Sequence, residues 1–203
     1  MATKGEITKE KILAKAESLI LQKGYAGMTL DELLEETGLT KGAFFHHFKG
    51  KAGLAKSVLE RYASNDYELF KNYSDQADRL SDDPLERVLI FIKLFEEFLN
   101  GLENPFPGCI FSSYSYEVRN FEPEIGDYIK ENLNAWLDLY ENKLGALIKA
   151  RPPALPVTAR ELSEMIGSII EGSFVMTLAM KDKSWTQRQS AQYRHYIELL
   201  FRT

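Results

Sequence analysis

Thr29-Leu30-Asp31-Glu32-Leu33-Leu34-Glu35-Glu36-Thr37-Gly38-Leu39-Thr40-Lys41-Gly42-Ala43-Phe44-Phe45-His46-His47-Phe48-Lys49-Gly50-Lys51 is the stretch that decides how this chain is read. Thr29 starts a helix: its hydroxyl accepts from the backbone of Glu32, whose carboxylate reaches back, which is the capping-box pattern. Gly38 stops that helix, because glycine adopts the positive φ a helix end requires, and lets the chain reverse sharply. Thr40 then caps a second short helix through Phe48. Leu30, Leu33, Leu34 and Leu39 offer apolar faces that pack the two helices across each other, so the stretch reads as a helix-turn-helix.

In such a unit the second helix enters the major groove of duplex DNA with its amino-terminal residues nearest the base edges. Here those residues are Thr40, Lys41, Gly42 and Ala43. Thr40 offers a hydroxyl and, with the helix dipole behind it, backbone N–H groups to a phosphate. Lys41 reaches guanine O6 and N7 or a phosphate, and Gly42 removes bulk where helix and duplex meet. Lys49 and Lys51 flank the start of the following helix, another phosphate-facing position. Phe44 and Phe48 are read as core anchors of this head, with base contact as the alternative.

Outward from this stretch the periodicity is helical and no alternating strand segment is found. Ile12, Leu13, Ala16, Leu19 and Ile20 mark an amphipathic helix from Thr8 to Lys23, closed by Gly24. A helix from about Lys51 to Tyr73 is followed by a polar break, Ser74 to Pro84. Further helices are expected over Leu85–Leu102, Cys109–Asn120, Pro123–Ala150, Thr158–Met180 and Thr186–Phe201, with Pro105 and Pro107 forcing a loop between the first two of these. The fold class is therefore all-α with about nine helices. Residues 1–52 are expected as a DNA-binding head, a connecting helix over 51–73, and residues 74–203 as a helical body.

Composition bounds the function. The 203 residues hold 30 Asp plus Glu against 25 Lys plus Arg, a net charge of −5, which excludes a uniformly basic coat. Residues 1–52 nevertheless carry 8 basic against 7 acidic side chains, leaving the acidity in the remainder; a local basic face binds an anion even on an acidic protein. No uninterrupted apolar run approaches the roughly 20 residues that span a bilayer, and the polar start lacks a signal peptide's apolar stretch. A cytoplasmic protein without membrane association is expected. One cysteine, Cys109, and three histidines make no structural metal site, so neither metal nor cofactor is expected. No phosphate loop, His-Glu-x-x-His or nucleophile elbow suggests an enzyme. Glu96 and Glu97 point about 100° apart on a helix and read as solvated charge.

Thr8-Lys9-Glu10-Lys11-Ile12-Leu13, Gly24-Tyr25, Thr29-Leu30-Asp31-Glu32-Leu33, Gly38-Leu39-Thr40-Lys41-Gly42 and Phe45-His46-His47-Phe48-Lys49-Gly50-Lys51 together resemble the amino-terminal domain of the TetR-type transcriptional regulators, over about residues 8–60. The resemblance implies a homodimer in which each subunit joins a three-helix DNA-binding head to a helical body that binds a small-molecule effector, most often a repressor on a near-palindromic double-stranded DNA operator. Thr29 and Thr40 match backbone-contacting positions, Lys41 and Gly42 the base-proximal turn, and His46, His47, Lys49 and Lys51 the phosphate-facing edge. Two positions depart: Ala43 stands where relatives often carry threonine, and Phe45 where they often carry tyrosine. Each missing hydroxyl removes a hydrogen bond of about 0.5–1.5 kcal/mol.

For the body, the resemblance directs attention to its aromatics. Phe95, Phe98, Tyr114, Trp136, Tyr140 and Phe174, with Cys109, are the candidate lining of an effector cavity; ordinary core is the competing reading. Tyr114, Tyr116, Trp136 and Asn134 are candidate polar edges. Cys109 stands at an expected helix start, where the dipole favours a thiolate, and a Gly-Cys pair here resembles a TetR subgroup with members that sense electrophiles or oxidants. An inert buried cysteine is the alternative. Leu162, Ile166, Ile169 and Ile170, with Tyr193, Tyr196, Ile197 and Leu200, form two stripes expected to pair with a second subunit, where Gly167 and Gly172 allow close approach. A helical scaffold that does not bind DNA is the remaining alternative.

Overall fold

The computed structural model describes residues 3–117 and 123–202. Among these, nine helices and no strand are formed: α1 (Lys4–Gly27), α2 (Leu30–Thr37), α3 (Lys41–His47), α4 (Lys51–Leu80), α5 (Pro84–Asn100), α6 (Ile110–Tyr116), α7 (Pro123–Ala150), α8 (Ala159–Met180) and α9 (Trp185–Leu200). The all-α expectation holds. The chain divides into two units, residues 1–66 with 109–132, and residues 67–108 with 133–203. The sequence reading kept 74–203 together; in the structure α6 and the start of α7 join the amino-terminal unit, where α6 packs on α1.

Three helix ends differ from expectation. α1 starts earlier because Thr3, rather than Thr8, is its cap: Thr3 and Glu6 exchange bonds in a complete capping box. Gly24, at φ 75°, kinks α1, and the chain makes one more turn to Gly27. α4 runs straight through the expected polar break to Leu80. Ala77 is buried there, and Lys143 of α7 ties down the Ser74 carbonyl at 3.1 Å and the Asp78 carboxylate at 2.7 Å. Tertiary contacts thus carry a polar segment as helix that its own sequence would leave as loop. The expected end of α6, residues 118–120, lies outside the described residues.

The core of the amino-terminal unit gathers Ile12, Leu13, Ala16, Leu19 and Ile20 of α1, Leu33 and Leu34 of α2, and Leu54, Val58 and Leu59 of α4. Arg61 of α4 binds both Glu10, at 2.6 Å, and Glu17 of α1. Burial pushes the Glu17 pKa up, against the pull of the Arg61 guanidinium.

In the second unit α9 packs on both α5 and α8. By length and composition α8 could cross a membrane, with a mean hydropathy of 1.3 over an 18-residue window. Its Leu162, Ile166, Ile170 and Phe174 are instead buried inside the protein. The Tyr193 hydroxyl of α9 donates to the Leu162 carbonyl at 2.8 Å, and Thr177 and Thr186 bond across the α8–α9 turn at 2.9 Å.

Glu96 corrects the sequence reading. It is not solvated: only 1% of it is exposed, and its carboxylate meets the Arg194 guanidinium of α9 at 2.9 Å and Lys93 at 3.4 Å. Glu97 is exposed as expected. A helix wheel separates the two faces of α5 but does not show that α9 brings a cation to one of them. Removing one partner of a buried pair strands the other charge, whereas replacing both by apolar groups does not. Arg194→Ala is therefore expected to lower stability by about 3 kcal/mol, toward the small end of the range because Arg194 keeps some solvent contact. Glu96→Leu with Arg194→Met should lose less than Arg194→Ala alone, as read from urea unfolding midpoints.

Candidate nucleic-acid interface

The α2–α3 reversal is made by Gly38, at φ 66° and ψ 24°. Its N–H donates to the Glu35 carbonyl, and the Leu39 N–H to the Leu34 carbonyl at 3.1 Å, which satisfies carbonyls a helix end leaves open. Lys11 of α1 adds a cation there, its Nζ 2.7 Å from the Thr37 carbonyl. Thr29 Oγ1 accepts from the Glu32 N–H at 3.2 Å. The reciprocal half of that capping box is not made, because the Glu32 carboxylate turns to Lys23 instead. Thr40 Oγ1 caps α3 by accepting from the Ala43 N–H at 3.2 Å.

Two of the four acids of α2 are held by α1, since Glu36 pairs with Lys15 and Glu32 with Lys23. α3 itself carries Lys41, His46 and His47 and no acidic side chain. Lys41, Gly42, Phe45 and His46 share one exposed face of α3 at three- and four-residue spacing, and Lys49 is exposed just beyond it. Lys41 meets Asp31 at 3.1 Å, both well exposed. Such a pair is worth about 0–1 kcal/mol and yields readily to a phosphate. A Cβ on Gly42 would meet only Thr40 Oγ1, 3.9 Å away, so this part of α3 is open to approach. Ala43 is half-buried, and Phe44 and Phe48 are buried as core anchors.

Residues 12–58, which contain this arrangement, match the family model for bacterial regulatory proteins of the tetR family. The amino-terminal domain of this chain matches the tetR family. The HTH-type transcriptional repressor NemR of Escherichia coli is 44% identical over 55 residues, 27% of this chain and 28% of NemR's own length. YxaF of Bacillus subtilis, an uncharacterized HTH-type transcriptional regulator, is 26% identical over 91% of each chain. The whole fold is similar to a TetR transcriptional regulator from Chloroflexus aurantiacus, at a TM-score of 0.80, 21% identity and 96% coverage of both chains.

Two residues of this TetR head sit differently from expectation. Lys51 does not stand free at the phosphate-facing edge: its Nζ donates to the Ala26 carbonyl at 3.3 Å and lies 4.4 Å from the centre of the Tyr25 ring. Burial lowers its pKa, opposed by the nearby Glu117 carboxylate. His47 is half-buried beside the start of α1, with its Cε1 3.9 Å from where a Cβ on Gly5 would stand.

Glu117, just after α6, is a residue the sequence reading missed. Its carboxylate accepts from the Ala26 N–H at 2.8 Å, at the α1 kink. A Cβ on Gly24 would come within 2.6 Å of it, so Gly24 supplies both the positive φ and the room. No local pattern marks Glu117, because its partner is 91 residues away.

The body aromatics fall into two sets. Phe95, Phe98, Trp136, Tyr140 and Phe174 join one continuous run of ring contacts through Phe70, Phe91 and Phe106. Phe70, assigned to the connecting helix, is the missed member: it touches Phe91, Phe95 and Trp136. Cys109 and Tyr114 belong to the other unit. Tyr114 is fully buried, its hydroxyl donates to the Ala55 carbonyl of α4 at 3.1 Å, and burial pushes its pKa up. Tyr116 is 82% exposed, and Asn134 accepts from Arg160 at 2.8 Å.

The expected dimer stripe also needs correction. Leu162, Ile166, Ile170, Tyr193, Ile197 and Leu200 are buried within the single chain, while Ile169 and Tyr196 are half-buried. Gly167 serves the same internal packing, with Leu137 3.2 Å from a Cβ placed there, whereas Gly172 faces open space. The apolar side chains left exposed are Met165, Val175, Met176, Leu178 and Met180 of α8 and Leu199 of α9.

Glu117→Ala removes the acceptor of the Ala26 N–H. We expect faster hydrogen exchange at Ala26 and its neighbours and a loss of about 1.5 kcal/mol, the low end for a hydrogen bond to a charged group.

Proposed function

We propose that this chain is a ligand-responsive, DNA-binding transcriptional repressor that acts as a homodimer in the cytoplasm and has no catalytic role. The observation that carries the reading is the exposed α3 face, with Lys41, Gly42, Phe45 and His46 presented beyond the Gly38 turn and Lys49 beside it. The family match over residues 12–58 and the regulators among its relatives support it. Thr29, Thr40, Ala43 and His47 border this face, and Lys51 reaches a phosphate only after leaving Ala26.

The second subunit would cover the α8 face formed by Met165, Ile169, Gly172, Val175 and Met176, together with Leu199 of α9. Two paired heads then meet successive major grooves, so a near-palindromic operator follows. A small apolar or aromatic effector suits the run of rings around Phe95, Phe98, Trp136, Tyr140 and Phe174. It represses binding by favouring a state with lower operator affinity, and linkage requires that operator and effector weaken each other by the same factor.

A second reading places the signal at Cys109. It is favoured by one observation: Cys109 directly precedes α6, and α6 and the residue after it reach the head through Tyr114 and Glu117. Chemistry at the thiol would act on the segment that bonds to α1 and α4.

Selection of bound duplexes from a random pool at moderate salt tests the main reading. An imperfect palindrome should emerge, with log affinity falling against log salt by about 0.9 per phosphate contacted, and Lys41→Ala should weaken that binding. Val175→Glu should leave the protein monomeric in sedimentation and weaken operator binding with it. Absence of any selected duplex would leave the scaffold reading. For the second reading, N-ethylmaleimide should release the wild type from the selected duplex and spare Cys109→Ser; equal release of both removes Cys109 as sensor.

A further inference from the structure

Phe45 is the only exposed phenylalanine among the described residues; the others are buried or half-buried. It presents 56% of its surface on the α3 face that carries Lys41 and Gly42 one turn before it, with Lys49 just beyond the end of the helix. Its ring is not loose. Phe44 beneath it is fully buried, and the two rings meet edge to face with centres 5.3 Å apart and planes at 84°. A buried core side chain thus backs an apolar ring that stays more than half exposed.

Phenyl has neither donor nor acceptor, so it cannot read a base edge by hydrogen bonding or hold a phosphate. The one apolar feature of the major groove is the C5-methyl of thymine, and side chains that contact it are apolar. Gly42, where a Cβ would make only an ordinary 3.9 Å contact with Thr40 Oγ1, lets the duplex come close on the same face.

Resting on the DNA-binding reading above, we infer that Phe45 is a specificity-determining residue that packs on a thymine methyl, so that each half-site carries a required thymine under α3. Lys41 contributes attraction and hydrogen bonding at the turn, and Phe45 rejects cytosine, which lacks that methyl.

The test uses the duplex selected by the wild-type protein and replaces thymidine by deoxyuridine one position at a time. The change keeps base pairing and the O4 acceptor and removes only the methyl. One position per half-site should lower wild-type affinity about fourfold, the value of burying one methyl-sized group. That penalty should vanish in Phe45→Ala, persist in part in Phe45→Leu, and survive unchanged in Lys41→Ala. Because the side chain is exposed, both Phe45 variants should melt with the wild type, and the leucine variant keeps the apolar contact if the alanine one does not fold. A deoxyuridine scan without effect, or an equal penalty in Phe45→Ala, overturns the assignment while leaving DNA binding intact. Selection of no duplex overturns both.

Discussion

A helix of seven residues has no stability of its own in water, where isolated helices shorter than about 12–15 residues are marginal. α3 is such a helix, and it displays Lys41, Gly42, Phe45 and His46, the centre of the face proposed to meet DNA. Its existence depends on Phe44 and Phe48, which are buried among the residues of the amino-terminal unit. Those two anchors set the rotation of α3 about its axis, and therefore which side chains point outward. Lys41, Gly42, Phe45 and His46 face solvent because Phe44 and Phe48 do not.

The head was readable because its determinants are local. A cap at Thr29, a left-handed glycine at Gly38 and a second cap at Thr40 act within a few residues, and each produces in the structure the end that its chemistry demands. Lys51 was misjudged for the opposite reason. Its position at the start of α4 is a local fact, but its direction is set by Tyr25, Ala26 and Glu117, which come from α1 and from beyond α6. Glu96 is the same lesson in the body, where a cation from α9 changes the meaning of an acid on α5.

α8 shows a further limit. It carries two apolar stripes, one through Leu162, Ile166 and Ile170 and one through Met165, Ile169 and Val175, offset around the same helix. Periodicity detects both and cannot say which is spent on α9 and which remains for another molecule. Gly167 and Gly172 divide in the same way, one filled by Leu137 and one open. Only the packing of the single chain resolves the choice.

The Glu96–Arg194 contact has one more effect, which concerns geometry rather than stability. An α9 screwed forward or back by a turn along α5 would leave the buried carboxylate with only its longer contact to Lys93, so such settings are penalised and one axial setting is favoured. The azimuth of α9 is locked with it. Arg188, Gln192, His195 and Leu199, the exposed side chains of that helix, are thereby delivered at a single angle, as teeth on a keyed shaft rather than on a free one.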